Sequence, residues 1–423
     1  MQDHARLWTE LGLDVALCRE LTESGARRYR RMILSQTRRP THMDYFDRMV
    51  AEAHGGRVEE IVEARRAGAK LLGTFCIYVP EELVLAAGAI SVALCGGTAF
   101  SIPYAEKRFP RDICPLIKST LGLAFSRTCP YGPIEDLAVG ETTCDAKKKT
   151  WDVLSKKTNF HVLELPQKKT DQARALWLTE VRAFKDRLEA LTGTRIETEA
   201  LGLGIRLLNR KRLLLAELAE LRSAAAPPIS GKDALVVMQV ALMDEPRRFC
   251  AELASLLEEL RVRVRQGVSP FGPDAPRLMV TGCPSVMGNY KLHDIIESSG
   301  AVVVADESCT GTRYFTGLVT EGAATLDEQL KAIASRYMSI DCACFSPNDE
   351  RIERVVELAG RHRVDAVVQY TLQYCHAYNI EAMRIAGAMK RAGAPTLEVV
   401  TDYAEEDSGQ LRTRVEALLE RIR

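Results

Sequence analysis

The sequence lacks the features of a secreted or membrane-spanning protein. Its first residues, MQDHARLWTELG, contain no apolar stretch of the kind found in a signal peptide. The longest apolar run, from Leu83 to Leu94, is far shorter than the roughly 20 residues that a helix needs to span a bilayer. We therefore expect a cytoplasmic protein.

The chain also lacks net charge and the common nucleotide and hydrolase motifs. Its 57 basic residues balance 57 acidic ones, which gives no basic surface for nucleic acid or for a membrane. It contains no G-x-x-x-x-G-K-S/T phosphate loop, no G-x-S-x-G and no H-E-x-x-H. The GLGIRLLN stretch at residues 202–209 lacks a third glycine and lies in a helical pattern. We therefore expect no ATP site in the chain itself.

Cysteine, by contrast, is abundant, with 12 residues. In a reducing compartment this number favours metal binding over disulfides. Cys114, Cys129 and Cys144 follow one another at fifteen-residue intervals, and we interpret the stretches between them as loops. Zinc sites mostly use shorter Cys-x2-4-Cys spacings, whereas iron–sulfur clusters accept wide spacing. Three buried structural thiols remain an equal alternative at this point. The adjacent lysines, at 147–149, are most simply a solvated face.

The pattern of apolar residues predicts an α/β protein with two Rossmann-like, doubly wound parallel-sheet domains. Residues 1–68 form a helical N-terminal segment, 69–168 the first α/β domain, 169–268 a helical connecting layer and 269–423 the second α/β domain. Strands are expected near residues 71–75, 90–95, 160–166, 277–282, 301–305, 366–370 and 396–400. Short apolar runs that alternate with helical patterns indicate parallel strands.

Several cysteines follow the predicted strands, where open parallel sheets form their ligand crevice. They are Cys76 and Cys95 in the first domain and Cys283, Cys309 and Cys375 in the second. Two facing sheets would then enclose a cluster between them. Cys342 and Cys344 form a Cys-x-Cys pair. His376 could donate a hydrogen bond to a cluster sulfide, and an interfacial histidine with its hydrogen bonds satisfied is an equal alternative. Cys18 and Cys250 are interpreted as core or surface thiols, and Cys95 as a packing thiol.

Six motifs in order resemble those of the 2-hydroxyacyl-CoA dehydratase and benzoyl-CoA reductase superfamily. They are GTFCIYVPEELVLAAGA, DICPLIKS, TTCDAKKKTW, TGCP, DESCTGTRYF and the QYCH loop. The resemblance extends from about residue 68 to the end of the chain. The surplus cysteines make the chain most similar to the double-cubane cluster proteins of that superfamily.

The resemblance implies a set of cluster ligands. Cys114, Cys144 and Cys375 match the three cysteines that hold one 4Fe–4S cluster in the dehydratases. Cys129 and Cys344 are additional, as expected for two bridged cubanes (8Fe–9S), which need six thiolates. The sixth ligand would be Cys309, with Cys76 and Cys342 as the alternatives.

The resemblance also implies a function. Such a protein is an anaerobic iron–sulfur reductase and a homodimer, which receives low-potential electrons from a separate homodimeric iron–sulfur ATPase and reduces a small molecule. The first alternative is a subunit of a 2-hydroxyacyl-CoA dehydratase with a single 4Fe–4S cluster. The second is a non-catalytic electron carrier. A purely structural zinc site fits the spacings least.

Overall fold

Two four-stranded parallel sheets form the centre of the fold. The computed structural model describes residues 4–422. The first sheet contains β1 (Leu71–Thr74), β2 (Ile90–Ala93), β3 (Leu137–Glu141) and β4 (Phe160–Leu163). The second sheet contains β5 (Arg277–Gly282), β6 (Val302–Glu307), β7 (Ala366–Leu372) and β8 (Thr396–Thr401). The strand orders are β2-β1-β3-β4 and β6-β5-β7-β8, so the two sheets share one topology.

Helices surround both sheets. The N-terminal helices are α1 (Ala5–Glu10), α2 (Val15–Tyr29), α3 (Met43–Ala51) and α4 (Gly56–Arg66), and a π-helical turn, Arg30–Leu34, continues α2. The first sheet is accompanied by α5 (Glu81–Ala86), α6 (Ile102–Glu106), α7 (Pro115–Phe125) and α8 (Asp145–Leu154). The connecting helices are α9 (Asp171–Thr192), α10 (Thr198–Leu221), α11 (Gly231–Ala241) and α12 (Pro246–Gln266).

The second sheet is accompanied by six further helices. They are α13 (Lys291–Ser298), α14 (Thr312–Phe315), α15 (Leu326–Met338), α16 (Asp349–Arg361), α17 (His376–Arg391) and α18 (Ser408–Ile422). Within residues 4–422, none of the helices combines the length and the apolar character that crossing a membrane requires.

The helix bounds follow from local sequence signals. In α12 the Glu245 carboxylate accepts a hydrogen bond from the Arg248 amide, and Pro246 occupies the first turn, where its missing N–H costs nothing. The helix ends at Gly267, whose φ of 65° is the left-handed conformation that glycine adopts without strain. Its buried residues recur at helical spacing, so this helix packs one apolar face inward.

The central strands of each sheet are apolar because both of their faces are covered. All four residues of β1 and all seven of β7 are buried. Parallel sheets with helices on both faces produce such continuous apolar runs. One large core joins the N-terminal helices, the first sheet and the connecting helices, with Phe46, Leu72 and Trp177 among its buried members.

The predicted fold class is confirmed, and each predicted strand is present with ends shifted by a few residues at most. Two predictions were wrong. The sequence reading missed β3, a central strand of the first sheet. The intervals between Cys114, Cys129 and Cys144 are not simply loops, because α7 fills most of the first and β3 lies in the second. The domain boundaries at 68, 168 and 268 remain predictions.

Candidate metal centre

A cavity of about 860 Å³ lies where the two sheets face each other, and most of the cysteines line it. Of the 12 cysteines, all free thiols, ten line this cavity: Cys76, Cys95, Cys114, Cys129, Cys144, Cys283, Cys309, Cys342, Cys344 and Cys375. The other two, Cys18 in α2 and Cys250 in α12, are buried elsewhere, so they are core thiols rather than surface thiols. Cys95, which we interpreted as a packing thiol, belongs to the wall as well.

The two sheets deliver their cysteines from equivalent strand ends. Cys95 and Cys309 each follow the second strand of their sheet by two residues. Cys144 and Cys375 each follow the third strand by three residues. With this strand order, the crevice opens beyond the first and third strands, at the point where the order reverses. The shared topology therefore places thiols of both halves against one space.

Three of the predicted ligands occupy helix N-termini. Cys114, Cys144 and Cys375 are the residues that precede α7, α8 and α17. Burial raises the pKa of the Cys114 thiol to about 12, although the amides of Leu116 and Ile117 donate to it and oppose this effect. These amides and the positive end of the helix dipole are suited to a thiolate that a cation has deprotonated.

The cavity thiols form two groups. Electrostatic effects between thiols connect Cys114 with Cys144 and Cys375, and Cys283 hydrogen-bonds to Cys375. The Cys283 hydrogen bond is the main cause that lowers the pKa of Cys375. We call Cys114, Cys144, Cys283 and Cys375 the first thiol group.

The second thiol group consists of Cys76, Cys309, Cys342 and Cys344. Cys95 adjoins this group, because Cys309 influences it electrostatically. A hydrogen bond from Cys344 lowers the pKa of Cys342 to about 6. Burial raises the pKa of Cys76 well above its usual value, and Cys309 and Cys342 act in the same direction. Cys342 also influences Cys375 electrostatically, so the two thiol groups adjoin.

Cys129 stands apart from both thiol groups. Burial raises the pKa of the Cys129 thiol to about 11, and the negative charge of Glu135 acts in the same direction. Hydrogen bonds from the amides of Gly132 and Tyr131 lower this pKa and partly oppose the effect. Cys129 in turn raises the pKa of Cys18 in α2. It therefore lies on the side of the cavity nearest the N-terminal helices.

Lys147 corrects the interpretation of the lysine run. Its side chain is buried, its Nζ lies 2.5 Å from Glu141 Oε1, and it donates to the Phe75 carbonyl at 3.2 Å. Lys148 and Lys149 pair with Asp145 and Asp152 and are more exposed, as expected for a solvated face. Lys147 also interacts electrostatically with Cys76, Cys95 and Cys144, so its ammonium group is not part of a solvated face.

A buried network of charged residues supports the second thiol group. Glu307 pairs at 2.8 Å with both Arg313 and Arg351, and Arg351 also pairs with Glu381. The two guanidinium groups lie about 5 Å from the ring centre of Tyr378, at 5.1 Å for Arg313 and 5.0 Å for Arg351.

Two polar contacts connect this network with sulfur atoms. Arg313 Nη1 lies 3.8 Å from Cys309 Sγ, and the Tyr378 hydroxyl lies 3.8 Å from Cys342 Sγ. The same guanidinium donates to the Tyr378 hydroxyl oxygen. The Arg313 N–H and the Tyr378 O–H are thus both available to sulfur. Neither Arg313, which lies in the DESCTGTRYF motif, nor Tyr378, which lies two residues after the QYCH motif, has a role that the sequence pattern predicts.

The donor set suits a polynuclear cluster better than a single ion. Within residues 4–422 no three His, Cys, Asp or Glu side chains converge on a point where one metal ion could sit. The thiolates that hold a cluster do not have to converge on one point, because each of them binds a different iron. Soft thiolate donors select iron–sulfur clusters, zinc or Cu(I). The residues present therefore fit an iron–sulfur cluster.

A family model described as 2-hydroxyglutaryl-CoA dehydratase, D-component, matches residues 76–422. The chain belongs to this family. The match begins at Cys76 and contains all ten cavity cysteines. The predicted resemblance to the 2-hydroxyacyl-CoA dehydratase and benzoyl-CoA reductase superfamily is therefore confirmed.

Individual relatives of this chain have names of dehydratase or reductase subunits. The protein named "Putative dehydratase subunit YjiM" from Escherichia coli (strain K12) is 37% identical over 368 residues, which cover 86% of this chain and 94% of that protein. The (R)-phenyllactyl-CoA dehydratase beta subunit of Clostridium sporogenes is 22% identical over 84% of this chain and 93% of its own length. A benzoyl-CoA reductase subunit from Thauera aromatica is 20% identical over 81% of this chain and 87% of its own length.

Proposed function

We propose that this family member is an iron–sulfur reductase that holds two bridged cubanes (8Fe–9S) in the thiol cavity and reduces a small molecule. The observation that carries the proposal is the wall of ten thiols at one interface between two sheets. A single 4Fe–4S cluster has only four irons to bind, so it would leave most of these thiols without a metal. Two bridged cubanes need two neighbouring sets of thiolates, and the first and second thiol groups adjoin.

The six proposed ligands are Cys114, Cys129, Cys144, Cys309, Cys344 and Cys375. Three of them belong to the first thiol group and two to the second. Cys129 has the weakest geometric support, because it lies nearer to Cys18 and Glu135. Cys76 and Cys342, the alternatives for the sixth ligand, both lie in the second thiol group.

The bound cluster would accept and pass on single electrons at low potential. The protein would supply the surroundings: Lys147 and Arg313 bring positive charge to the sulfur atoms, and Tyr378 offers an O–H donor. Cys283 is buried, Cys144 is exposed, and the other cavity thiols are partly buried. Donors and charges close to sulfur ligands set the reduction potential of such a site.

We propose a transient partner as the source of the electrons. The sequence contains no phosphate loop, so hydrolysis of ATP would take place in a separate homodimeric iron–sulfur ATPase. A homodimeric state of this chain is part of the same proposal.

Iron and acid-labile sulfide, measured on anaerobically purified protein together with electron paramagnetic resonance of the reduced form, test the proposal. We expect about eight irons per chain, as two cubanes contain. Cys344→Ala and Cys129→Ala should each lose part of the iron. Cys250→Ala is the matched control, because Cys250 is buried in α12 outside the cavity, and it should keep all of it.

The second candidate is a subunit of a 2-hydroxyacyl-CoA dehydratase with one 4Fe–4S cluster. It is favoured by the first thiol group, which alone contains Cys114, Cys144 and Cys375, and by relatives that are named as dehydratase subunits. About four irons, unaffected by Cys129→Ala and Cys344→Ala, would establish this reading and refute the double cubane. Iron that cycles between oxidation states without any substrate turnover would indicate an electron carrier.

A further inference from the structure

Tyr403 carries a hydroxyl group that is buried without a hydrogen-bond partner. The residue follows β8 by two positions and is only 3% exposed. Within the part of the chain that the structure describes, its Oη atom makes no hydrogen bond. Folded proteins pair nearly all of their buried polar groups, so an orphaned hydroxyl needs an explanation.

Other buried tyrosines of this chain have partners. The Tyr45 hydroxyl donates to the Asp244 carboxylate at 2.5 Å, and the Tyr78 hydroxyl donates to the Ile340 carbonyl oxygen at 3.0 Å. The fold therefore supplies acceptors to phenol groups that it buries, and Tyr403 departs from this pattern.

Cysteines are close neighbours of Tyr403. Its side chain belongs to one apolar cluster with Cys283 and Tyr370. Cys114 and Cys95 pack against the same cluster. Burial raises the pKa of Tyr403, and Tyr370 and these three cysteines act in the same direction. Since Cys114 and Cys283 belong to the first thiol group, the orphaned hydroxyl lies beside that group.

Contacts on both sides hold the backbone around Tyr403 in place. The buried Lys291 ammonium donates to Thr401 Oγ1 at 2.7 Å and to the Ala404 carbonyl oxygen at 2.6 Å. The Ala404 amide also donates to Asp402 Oδ1 at 2.8 Å. A donor that is fixed in this way loses little conformational entropy when an acceptor forms beside it.

An acceptor for this hydroxyl forms when a neighbouring thiol binds a metal. A neutral thiol is only a weak acceptor, whereas a metal ligand is a thiolate. Hydrogen bonds to an ionised acceptor are roughly twice as strong as those between neutral groups. Cys114 is the neighbour that belongs to both candidate ligand sets, that of two bridged cubanes and that of a single cluster.

We propose that Tyr403 is a positioning residue of the metal centre, whose hydroxyl donates a hydrogen bond to the Cys114 thiolate once a cluster is bound. This role rests on the proposed function, because it requires a cluster, but it does not depend on the number of cubanes. Tyr403 would act through Cys114, by stabilising the thiolate that holds the iron.

The first test compares the full-length chain, purified anaerobically with its iron, with Tyr403→Phe. Proton electron–nuclear double resonance of the reduced protein, recorded in light and in heavy water, detects exchangeable protons close to the cluster. We expect Tyr403→Phe to lack one exchangeable coupling that the unmodified protein shows. Release of iron to a chelator should also become about fivefold faster, the rate equivalent of one hydrogen bond.

The second test uses the metal-free chain, in which the hydroxyl has no partner to lose. Tyr403→Phe should therefore leave the urea midpoint of unfolding unchanged or raise it. Tyr45→Phe is the matched control, because it removes a buried hydroxyl that donates to Asp244 away from the cavity wall. This control should lower the midpoint of the metal-free chain. In the iron-loaded protein it should keep the exchangeable coupling and the rate of iron release.

Either of two results would refute the role of Tyr403. If Tyr403→Phe lowered the midpoint of the metal-free chain as Tyr45→Phe does, the hydroxyl would already have a partner without the metal. If the iron-loaded variant kept the coupling and the release rate, the hydroxyl would not reach a cluster ligand, and the proposed function would stand. An unmodified chain that binds no iron would instead refute the proposed function, and the role of Tyr403 with it.

Discussion

Tyr378 and Arg313 are the residues through which the buried charge network contacts sulfur. The ring centre of Tyr378 lies about 5 Å from two guanidinium groups, and its hydroxyl lies 3.8 Å from Cys342 Sγ. Sequence reasoning could find the cysteines, because thiols have few competing uses in a reducing compartment. It could not find Tyr378, Arg313 or Lys147, since tyrosine, arginine and lysine at such spacings are ordinary surface or core residues. Their roles depend on contacts between segments that are distant in the sequence.

We expect Tyr378→Phe to lower the reduction potential of the iron-loaded site. Cys342 is an alternative for the sixth ligand, and a donor to a sulfur atom that binds or adjoins the cluster stabilises the reduced, more negative state. Loss of this donor therefore favours the oxidised state. The shift should be about 40 mV, the one-electron equivalent of about 1 kcal/mol for one hydrogen bond. A redox titration followed by electron paramagnetic resonance measures it.

The control for this prediction is Tyr104→Phe, which removes a hydroxyl from α6, away from the cavity wall. It should leave the potential unchanged. Both variants should retain the iron of the unmodified protein. If both variants had the potential of the unmodified protein, Tyr378 would be a packing residue without influence on the metal.

At the scale of secondary structure, most strands could be predicted because strands covered on both faces are short apolar runs. β3 escaped prediction because it lies between Cys129 and Cys144, in a stretch that we interpreted as a loop, and because it ends in the charged Glu141. In the folded protein Glu141 is neutralised by Lys147, which lies in the first turn of α8. This ion pair allows the charged Glu141 to be buried at the end of β3. A pattern of apolar residues cannot predict such a pair.

We expect Gly140→Ala to destabilise the β3–α8 unit. A Cβ at this position would lie 2.6 Å from Trp151 Cε2, and Trp151 is held by a hydrogen bond from its Nε1 to the Glu141 carbonyl oxygen. Overpacking of this kind costs about 1–3 kcal/mol. Urea unfolding of the purified variant measures the loss.

Gly132→Ala serves as the control for this substitution. The nearest atom to a Cβ there is the Cys129 carbonyl oxygen at 3.8 Å, an ordinary contact. Its unfolding free energy should stay within about 0.5 kcal/mol of the unmodified chain. Equal stability of the two variants would show that Trp151 shifts without cost.

At the scale of the whole molecule, two sheets of the same topology present thiols from equivalent strand ends to one cavity. The rule that ligands bind at the carboxyl ends of parallel strands was enough to predict this meeting of cysteines. The part formed by α1 to α3 was not predictable. No general rule states how a helical segment before an α/β domain will pack.

A site built from both halves should stabilise the whole chain when it is loaded. Cys114 and Cys144 belong to the half with the first sheet, and Cys344 and Cys375 belong to the half with the second. A cluster held by all four would bind only the folded arrangement, and selective binding to the folded state raises stability. Anaerobic calorimetry should show an unfolding temperature about 5 °C or more above that of the metal-free chain.

In Cys375→Ala this difference in unfolding temperature should shrink, because one cluster ligand in the second half is lost, whereas Cys250→Ala should preserve it. Equal unfolding temperatures with and without bound iron would mean that the metal does not join the two halves, and the cavity between the sheets would lose its role as the metal site.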